Sequence, residues 1–175
     1  RARADHTGLL PSPVRTETYV LRSANVLSVS SDLPIVILHN LGKGGVPVSE
    51  DQFVAVQVFE PRWGPSKLTN APDFCGHGIF HKRGSSTLWM NKASFFLEIR
   101  DEQENDRDVS LANLPEESDW VLYAPNSFEP VLIHNPGAFE LSRQMGPYAS
   151  RTRFVEVYLK DDSGTPGPVS AADYN

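Results

Sequence analysis

The stretch Phe53-Val54-Ala55-Val56-Gln57-Val58-Phe59 decides the fold, because its apolar residues alternate with strand periodicity. Successive side chains of a strand point to opposite faces, so Val54, Val56 and Val58 share one face of this stretch. Val, Phe and other β-branched or aromatic residues also favour strands. We therefore predict a strand that is buried on at least one face.

Similar patterns predict further strands along the chain. Leu33 to His39 is an almost continuous apolar run that is too short for a typical helix, so we predict a buried strand. The other predicted strands, which are rich in β-branched or aromatic residues or alternate in polarity, are Thr16–Leu21, Gly76–Lys82, Ala93–Ile99 and Arg153–Lys160.

One principal helix is predicted late in the chain, near residues 130–146. Leu141 and Met145 belong to a set of apolar residues at helical spacing, and Gly146 followed by proline ends the pattern. Pro136 marks either a kink or the true first turn. Strands dominate, so the predicted class is α+β and β-rich.

Composition limits what the chain can do. Its 175 residues carry a formal net charge of −6, which argues against a nucleic-acid binder, since that function needs a basic face. No apolar run approaches the length of a membrane span. Cys75 is the single cysteine, so an internal disulfide is excluded.

The chain divides into two parts. Residues 1–13 look like a lead-in or the tail of a preceding module, and residues 14–175 look like one domain.

Four motifs follow one another from Lys82 onward. They are Lys82-Arg83-Gly84-Ser85-Ser86 with Lys92-Ala93-Ser94-Phe95 five residues later, Leu114–Pro125, His134–Gly146 and Arg153–Leu159. Their order and spacing resemble the CotH family of atypical kinases, first known from spore coats, over roughly residues 33–175. The resemblance implies a kinase-like fold that binds ATP with Mg²⁺ and phosphorylates protein hydroxyls.

The same resemblance implies that the chain is the N-terminal portion of such a domain, truncated before the metal-binding and catalytic aspartates. No catalytic residue and no metal ligand are therefore assigned, and we expect this piece to be inactive by itself. Two positions depart from the family pattern: Glu129 stands where the family usually has Asp, and His134 where it usually has Arg. Both are predicted supporting residues, and His134 favours weakened activity even in a longer protein.

Lys92 is the leading predicted nucleotide contact, because a lysine on a strand can neutralise phosphate charge. Arg83, Gly84, Ser85 and Ser86 form a turn whose amides and hydroxyls can bind phosphate oxygens. Glu98 lies six residues after Lys92, on the same predicted strand face, and can pair with Lys92 or Arg83. The alternatives are a surface lysine beside an apolar strand and an ordinary hairpin turn.

Two other patterns invite a binding site. Cys75, His77 and His81 share one face of a predicted strand, but no fourth ligand is near, so packing and hydrogen bonding are favoured over zinc. The loop Gly42–Gly45 lacks the spacing of a phosphate-binding loop, and we expect a solvent loop.

The favoured function is thus a partial CotH-type protein kinase domain at the cell surface, in the spore or cell envelope, or secreted. Its partners would be a protein substrate or neighbouring modules of the same polypeptide. By analogy with ordinary kinases, the predicted helix would brace the site. The alternative is a non-enzymatic, β-rich structural or interaction module of a secreted multi-domain protein. Convergence of Lys92 and Arg83 in one concave pocket would favour ligand binding.

Overall fold

A computed structural model describes residues 1–126 and 129–175, and it confirms the β-rich α+β class with one principal helix. Six of the eight strands in the described residues form one sheet, in the order β7-β6-β5-β3-β2-β8, while β1 pairs with β4. The elements are β1 (Ser30–Ser31), β2 (Ile35–His39), β3 (Gln52–Phe59), β4 (Ser66–Lys67), β5 (Phe74–Arg83), β6 (Ser94–Arg100), β7 (Asp119–Leu122), α1 (His134–Gln144) and β8 (Glu156–Lys160), with short 3-10 turns at Ala24–Val26 and Ala171–Asp173.

The strand predicted from Phe53 to Phe59 is β3, which lies inside the sheet and is buried on both faces. Val54, Val56 and Val58 enter a larger core with residues of β2, β5 and β6. Phe59 enters a second core on the opposite face, where Leu68 is also fully buried. The two cores together hold the sheet between two layers of loops, which explains why β3 is apolar at nearly every position.

Strand β8 gives the sheet its one parallel pairing in the described residues. Glu156 of β8 lies opposite Ile35 of β2, and the register continues to Lys160 opposite His39. A parallel pair needs a long connection, and here the other strands of the sheet and α1 lie between the two partners. The strand predicted from Arg153 begins only at Glu156, since Arg153 instead donates a hydrogen bond to the Ala112 carbonyl at 2.8 Å.

The strand predicted from Thr16 to Leu21 is wrong. No strand forms there, and Tyr19 and Leu21 are 88% and 68% exposed. A strand needs a neighbour for its backbone groups, and this segment finds one only at its end, where Arg22 bridges to Val169. Its β-branched and aromatic composition therefore does not produce a strand.

Helix α1 begins at His134 and ends at Gln144, inside the predicted range. Pro136 lies in its first turn, where the missing N–H costs nothing, so the alternative of a kink is excluded. None of its residues is buried, and the side chains of Leu141 and Met145 are largely exposed. Within the described part of the chain, no helix is long and apolar enough to cross a membrane.

Candidate functional site

An open pocket of about 640 Å³ lies beside the loop that precedes β6. Three segments form it: the end of the loop between β5 and β6, the chain after β7, and the approach to α1. Its lining residues are Trp89, Met90, Asn91, Lys92, Pro125, Asn126, Glu129, Pro130 and Leu132. Two residues predicted from the sequence, Lys92 and Glu129, are thus brought together although they are far apart in the chain.

Lys92 supplies the positive charge of the pocket. It lies in a bend two residues before β6 rather than on the strand, and it is half-buried. No carboxylate in the described residues lies within 4.0 Å of its ammonium. Asn126 fixes the backbone here, because its Nδ2 donates to the Lys92 carbonyl at 3.1 Å and to the Ala124 carbonyl at 2.9 Å.

Glu129 supplies the negative charge, but its two oxygens are already engaged. Oε2 accepts a hydrogen bond from the Tyr123 hydroxyl at 2.5 Å. Oε1 accepts from the backbone N–H groups of His134 at 3.1 Å and Asn135 at 3.5 Å, which lie in the first turn of α1. Glu129 is therefore a buried cap of the helix and, within the described residues, not an ion-pair partner of Lys92.

These hydrogen bonds shift the acidity of both partners. The Tyr123 hydroxyl first, and then the helix amides, hold the pKa of Glu129 below its ordinary value. The same hydrogen bond raises the pKa of Tyr123. Glu129 is thus an anion near neutral pH, in keeping with a carboxylate at the positive end of a helix.

His134 is the first residue of α1 and does not line the pocket. Its side chain is 67% exposed, and its Nδ1 lies 3.8 Å from Oε1 of Glu129. Its backbone N–H, rather than its imidazole, makes the closer contact with Glu129. The structure therefore gives His134 a position at the edge of the Glu129 cluster.

The turn Arg83–Ser86 lies outside the pocket. Its four residues are exposed, and Gly84 adopts a φ of 124°, a conformation that glycine tolerates best. Arg83 and Lys92 thus do not line one pocket, which is the convergence that would have favoured ligand binding. As phosphate contacts, these four residues stay a prediction.

Glu98 forms an ion pair with Arg100, a residue that no sequence pattern singled out. Its Oε1 accepts a hydrogen bond from Nε of Arg100 at 2.6 Å, so the expected pairing with Lys92 or Arg83 was wrong. Arg100 lies two residues further along β6 and on the same face, which makes it the nearer cation.

Sequence patterns did not reveal the apolar part of the pocket. Trp89, Met90 and Leu132 line it, and the side chain of Trp89 is 88% exposed. A large aromatic residue in a polar loop, three positions before a candidate phosphate contact, was the signal available in the sequence. Asn126 gave no such signal, because its role depends on a backbone carbonyl from another segment.

The two remaining patterns serve packing. Cys75, His77 and His81 do share a face of β5, where His77 stacks on Phe53 at 5.6 Å between ring centroids and His81 on Phe96 at 5.0 Å. In residues 1–126 and 129–175, no group of three or more His, Cys, Asp or Glu side chains could hold a metal ion.

The expected solvent loop at Gly42–Gly45 is instead packed against the chain after β8. Gly44 N–H donates to the Asp162 carbonyl at 3.0 Å, and Gly164 N–H to the Gly42 carbonyl at 3.0 Å. A Cβ atom at Gly42 would lie 1.9 Å from the carbonyl oxygen of Gly164. Glycine is therefore required there by close packing.

Strands β6, β7 and β8, helix α1 and the Lys92 pocket fall in the part of the chain that matches a known kinase family, whereas β2, β3 and most of β5 lie before it. Residues 80–164, just under half of the chain, match the family model described as CotH kinase protein. The matched segment is similar to part of a CotH kinase domain, and it includes Lys92, Glu129 and α1. No curated protein and no solved structure matches the chain.

Proposed function

We propose that this chain contributes ATP binding to a CotH-type protein kinase, with Lys92 as the contact for the nucleotide phosphates. The observation that carries the proposal is the ammonium of Lys92, which lines a pocket and has no carboxylate within reach in the described residues. An unpaired, half-buried cation favours an anionic ligand, because a negative group recovers the solvation that partial burial removes.

The pocket suits a ligand with a charged and an apolar end. Its volume of about 640 Å³ lies in the range of small-molecule sites. Trp89, Met90 and Leu132 offer apolar surface to an aromatic base, while Lys92 offers a cation to the phosphates. Glu129 is engaged with Tyr123 and the helix amides, and it holds α1 beside the pocket.

The described residues of the pocket fit a nucleotide, but they do not supply the ligands of a magnesium ion. Mg²⁺ takes oxygen ligands, usually one or two carboxylates together with the phosphates. Among the described residues, Glu129 is the one carboxylate that lines the pocket, and both of its oxygens already accept hydrogen bonds from the protein. We therefore assign no residue of this chain to the metal and no catalytic step to it.

The substrate, the location and the second phosphate contact are proposed from the resemblance to the CotH family. In this proposal, the kinase phosphorylates surface or coat proteins outside the cell or in its envelope. Arg83, Gly84, Ser85 and Ser86 are proposed as a second phosphate contact that reaches the ligand only if their exposed turn moves toward Lys92.

A titration of the ¹⁵N-labelled chain with ATP-Mg²⁺, followed by NMR, tests the proposal, because NMR detects even millimolar binding. We expect saturable shifts at Trp89 to Lys92 and at the Asn126 side-chain amide. Lys92→Ala should weaken binding by about tenfold or more, since a charge-assisted contact is lost. The matched control is Lys67→Ala, an exposed lysine on β4. Equal binding by Lys92→Ala and the unmodified chain would overturn the assignment.

A non-enzymatic interaction module is the second candidate, and the exposed helix favours it. No residue of α1 is buried, although Leu141 and Met145 lie on it or directly after it. Exposed apolar residues of this kind are common where proteins contact one another. Absence of any ATP-dependent shift in the unmodified chain would leave this second function as the better account.

A further inference from the structure

A second pocket lies away from Lys92, on the face of the sheet where β5 and β6 pair. It measures about 410 Å³. Its floor includes His77 of β5 and Arg100 of β6, which lie opposite each other in the strand register. Its walls are the loop after β6, with Glu102 and Arg107, and the segment that contains Arg15 and Thr16.

Three arginine residues line this pocket, each from a different segment. Nε of Arg100 donates a hydrogen bond to Glu98, so the two terminal nitrogens of Arg100 can bind other partners. In the part of the chain that the structure describes, Arg15 and Arg107 have no carboxylate within 4.0 Å. The guanidinium carbon of Arg107 lies 5.9 Å from the centroid of the Phe74 ring.

The two carboxylates of the pocket are held by nearby donors. Oδ1 of Asp101 accepts hydrogen bonds from the backbone N–H groups of Gln103 at 2.8 Å and Asn105 at 2.9 Å. Glu102 accepts from the backbone N–H of Thr16 at 3.0 Å and from the Thr16 hydroxyl. These acids therefore order the walls of the pocket while the arginines keep unused donors.

The buried His77 does not add a competing charge. Burial and then the nearby Arg1 lower its pKa, so the ring is neutral near pH 7. Its Nε2 lies 3.3 Å from the Arg1 guanidinium, which also pairs with Glu104. Arg1 and Glu104 thus cancel each other at the rim.

We propose that this pocket binds a small multivalent oxyanion, either a phosphate or a polycarboxylate. The planar fork of arginine matches both groups, and two unpaired arginines beside a third give more donors than the protein itself uses. Such a local excess of unused guanidinium donors is unusual in a chain with a net charge of −6. The volume leaves room for a ligand larger than a bare ion.

Calorimetric titration at low ionic strength tests the proposal, with inorganic phosphate and citrate as the two probes. The test variant is Arg15→Gln with Arg107→Gln. The matched control is Lys67→Gln with Arg151→Gln, which removes the same charge from two exposed positions outside the pocket. A third variant, Arg107→Lys, keeps the charge and removes the fork.

At least one probe should bind saturably, and the probe that binds more tightly identifies the class of oxyanion. We expect the test variant to lose about tenfold in affinity and the control to stay within about twofold. Arg107→Lys should bind more weakly than the unmodified chain, because it keeps the charge and loses the planar fork. Absence of saturable binding for both probes, or an equal loss in the control, would overturn the proposal.

Discussion

The hydroxyl of Tyr123, directly after β7, donates a hydrogen bond to Oε2 of Glu129, and the two oxygen atoms lie 2.5 Å apart. The other oxygen of Glu129 accepts from the first amides of α1. One carboxylate therefore connects the end of the sheet to the start of the helix. Because no residue of α1 is buried, this connection is a principal constraint on where the helix lies.

Removal of the Glu129 carboxylate should loosen the first turn of α1. In Glu129→Ala, the amides of His134 and Asn135 lose their acceptor, and we expect both to exchange with solvent faster than in the unmodified chain. Glu129→Gln is the control, because its amide oxygen can still accept from these groups. Hydrogen exchange followed by NMR measures the effect. Unchanged exchange in Glu129→Ala would show that the helix start is held by other contacts.

The acidity of Glu129 should depend on Tyr123. The pKa of Glu129 lies below its ordinary value of 4.5, so the ionised form stabilises the fold above that value. This contribution is lost as the pH falls through the lowered pKa. Tyr123→Phe should return the pKa of Glu129 toward its ordinary value, since the largest cause of the shift is removed. Carboxyl ¹³C NMR can follow the titration. An identical titration in both proteins would contradict the assigned cause.

Local sequence patterns predicted the strands that have neighbours. A period-two apolar pattern identified β3, and a short continuous apolar run identified β2. Both strands carry these patterns because they lie inside the sheet and are buried on two faces. The same reasoning failed from Thr16 to Leu21, where composition favours a strand but no adjacent strand is available. Pairing between β2 and β8 was also beyond local patterns, since it joins segments more than a hundred residues apart.

The candidate site was predictable in its charges and not in its geometry. The resemblance pointed to Lys92 and Glu129, and the structure places both at one pocket. The resemblance did not show that Glu129 would accept hydrogen bonds from Tyr123 and from the first amides of α1. Both contacts depend on how the chain turns after β7. Glu98 was assigned to the wrong cation for a related reason. Its choice of Arg100 depends on side-chain directions along β6.

Lys160 should stabilise the fold through two carboxylates. Its Nζ lies 2.6 Å from Oδ2 of Asp162 and 3.3 Å from Oδ1 of Asp173, and the residue is 8% exposed. Lys160→Met keeps the apolar stem but leaves the largely buried carboxylate of Asp173 without its cation. We expect the free energy of unfolding to fall by about 2 kcal/mol, which urea denaturation can measure.

The pH dependence and a control complete this prediction. Hydrogen bonds with Asp162 and Asp173 raise the pKa of Lys160, so its contribution is present at neutral pH and is lost as the pH rises through the raised value. Lys67→Met, on the exposed side of β4, should change the free energy of unfolding by less than about 0.5 kcal/mol. Equal stability of the two variants would mean that the Lys160 ion pairs contribute nothing.

Gly78 should be indispensable to the pairing of β5 with β6. A Cβ atom at this position would lie 1.9 Å from the backbone carbonyl oxygen of Glu98, and a backbone atom inside a sheet has little freedom to move away. Gly78→Ala should therefore lower the free energy of unfolding by about 3 kcal/mol, measured by urea denaturation. Gly45→Ala is the matched control, because a Cβ atom there meets nothing within 4 Å. If both substitutions cost the same, β5 and β6 can separate locally, and the strand that carries His77 is more adaptable than its register indicates.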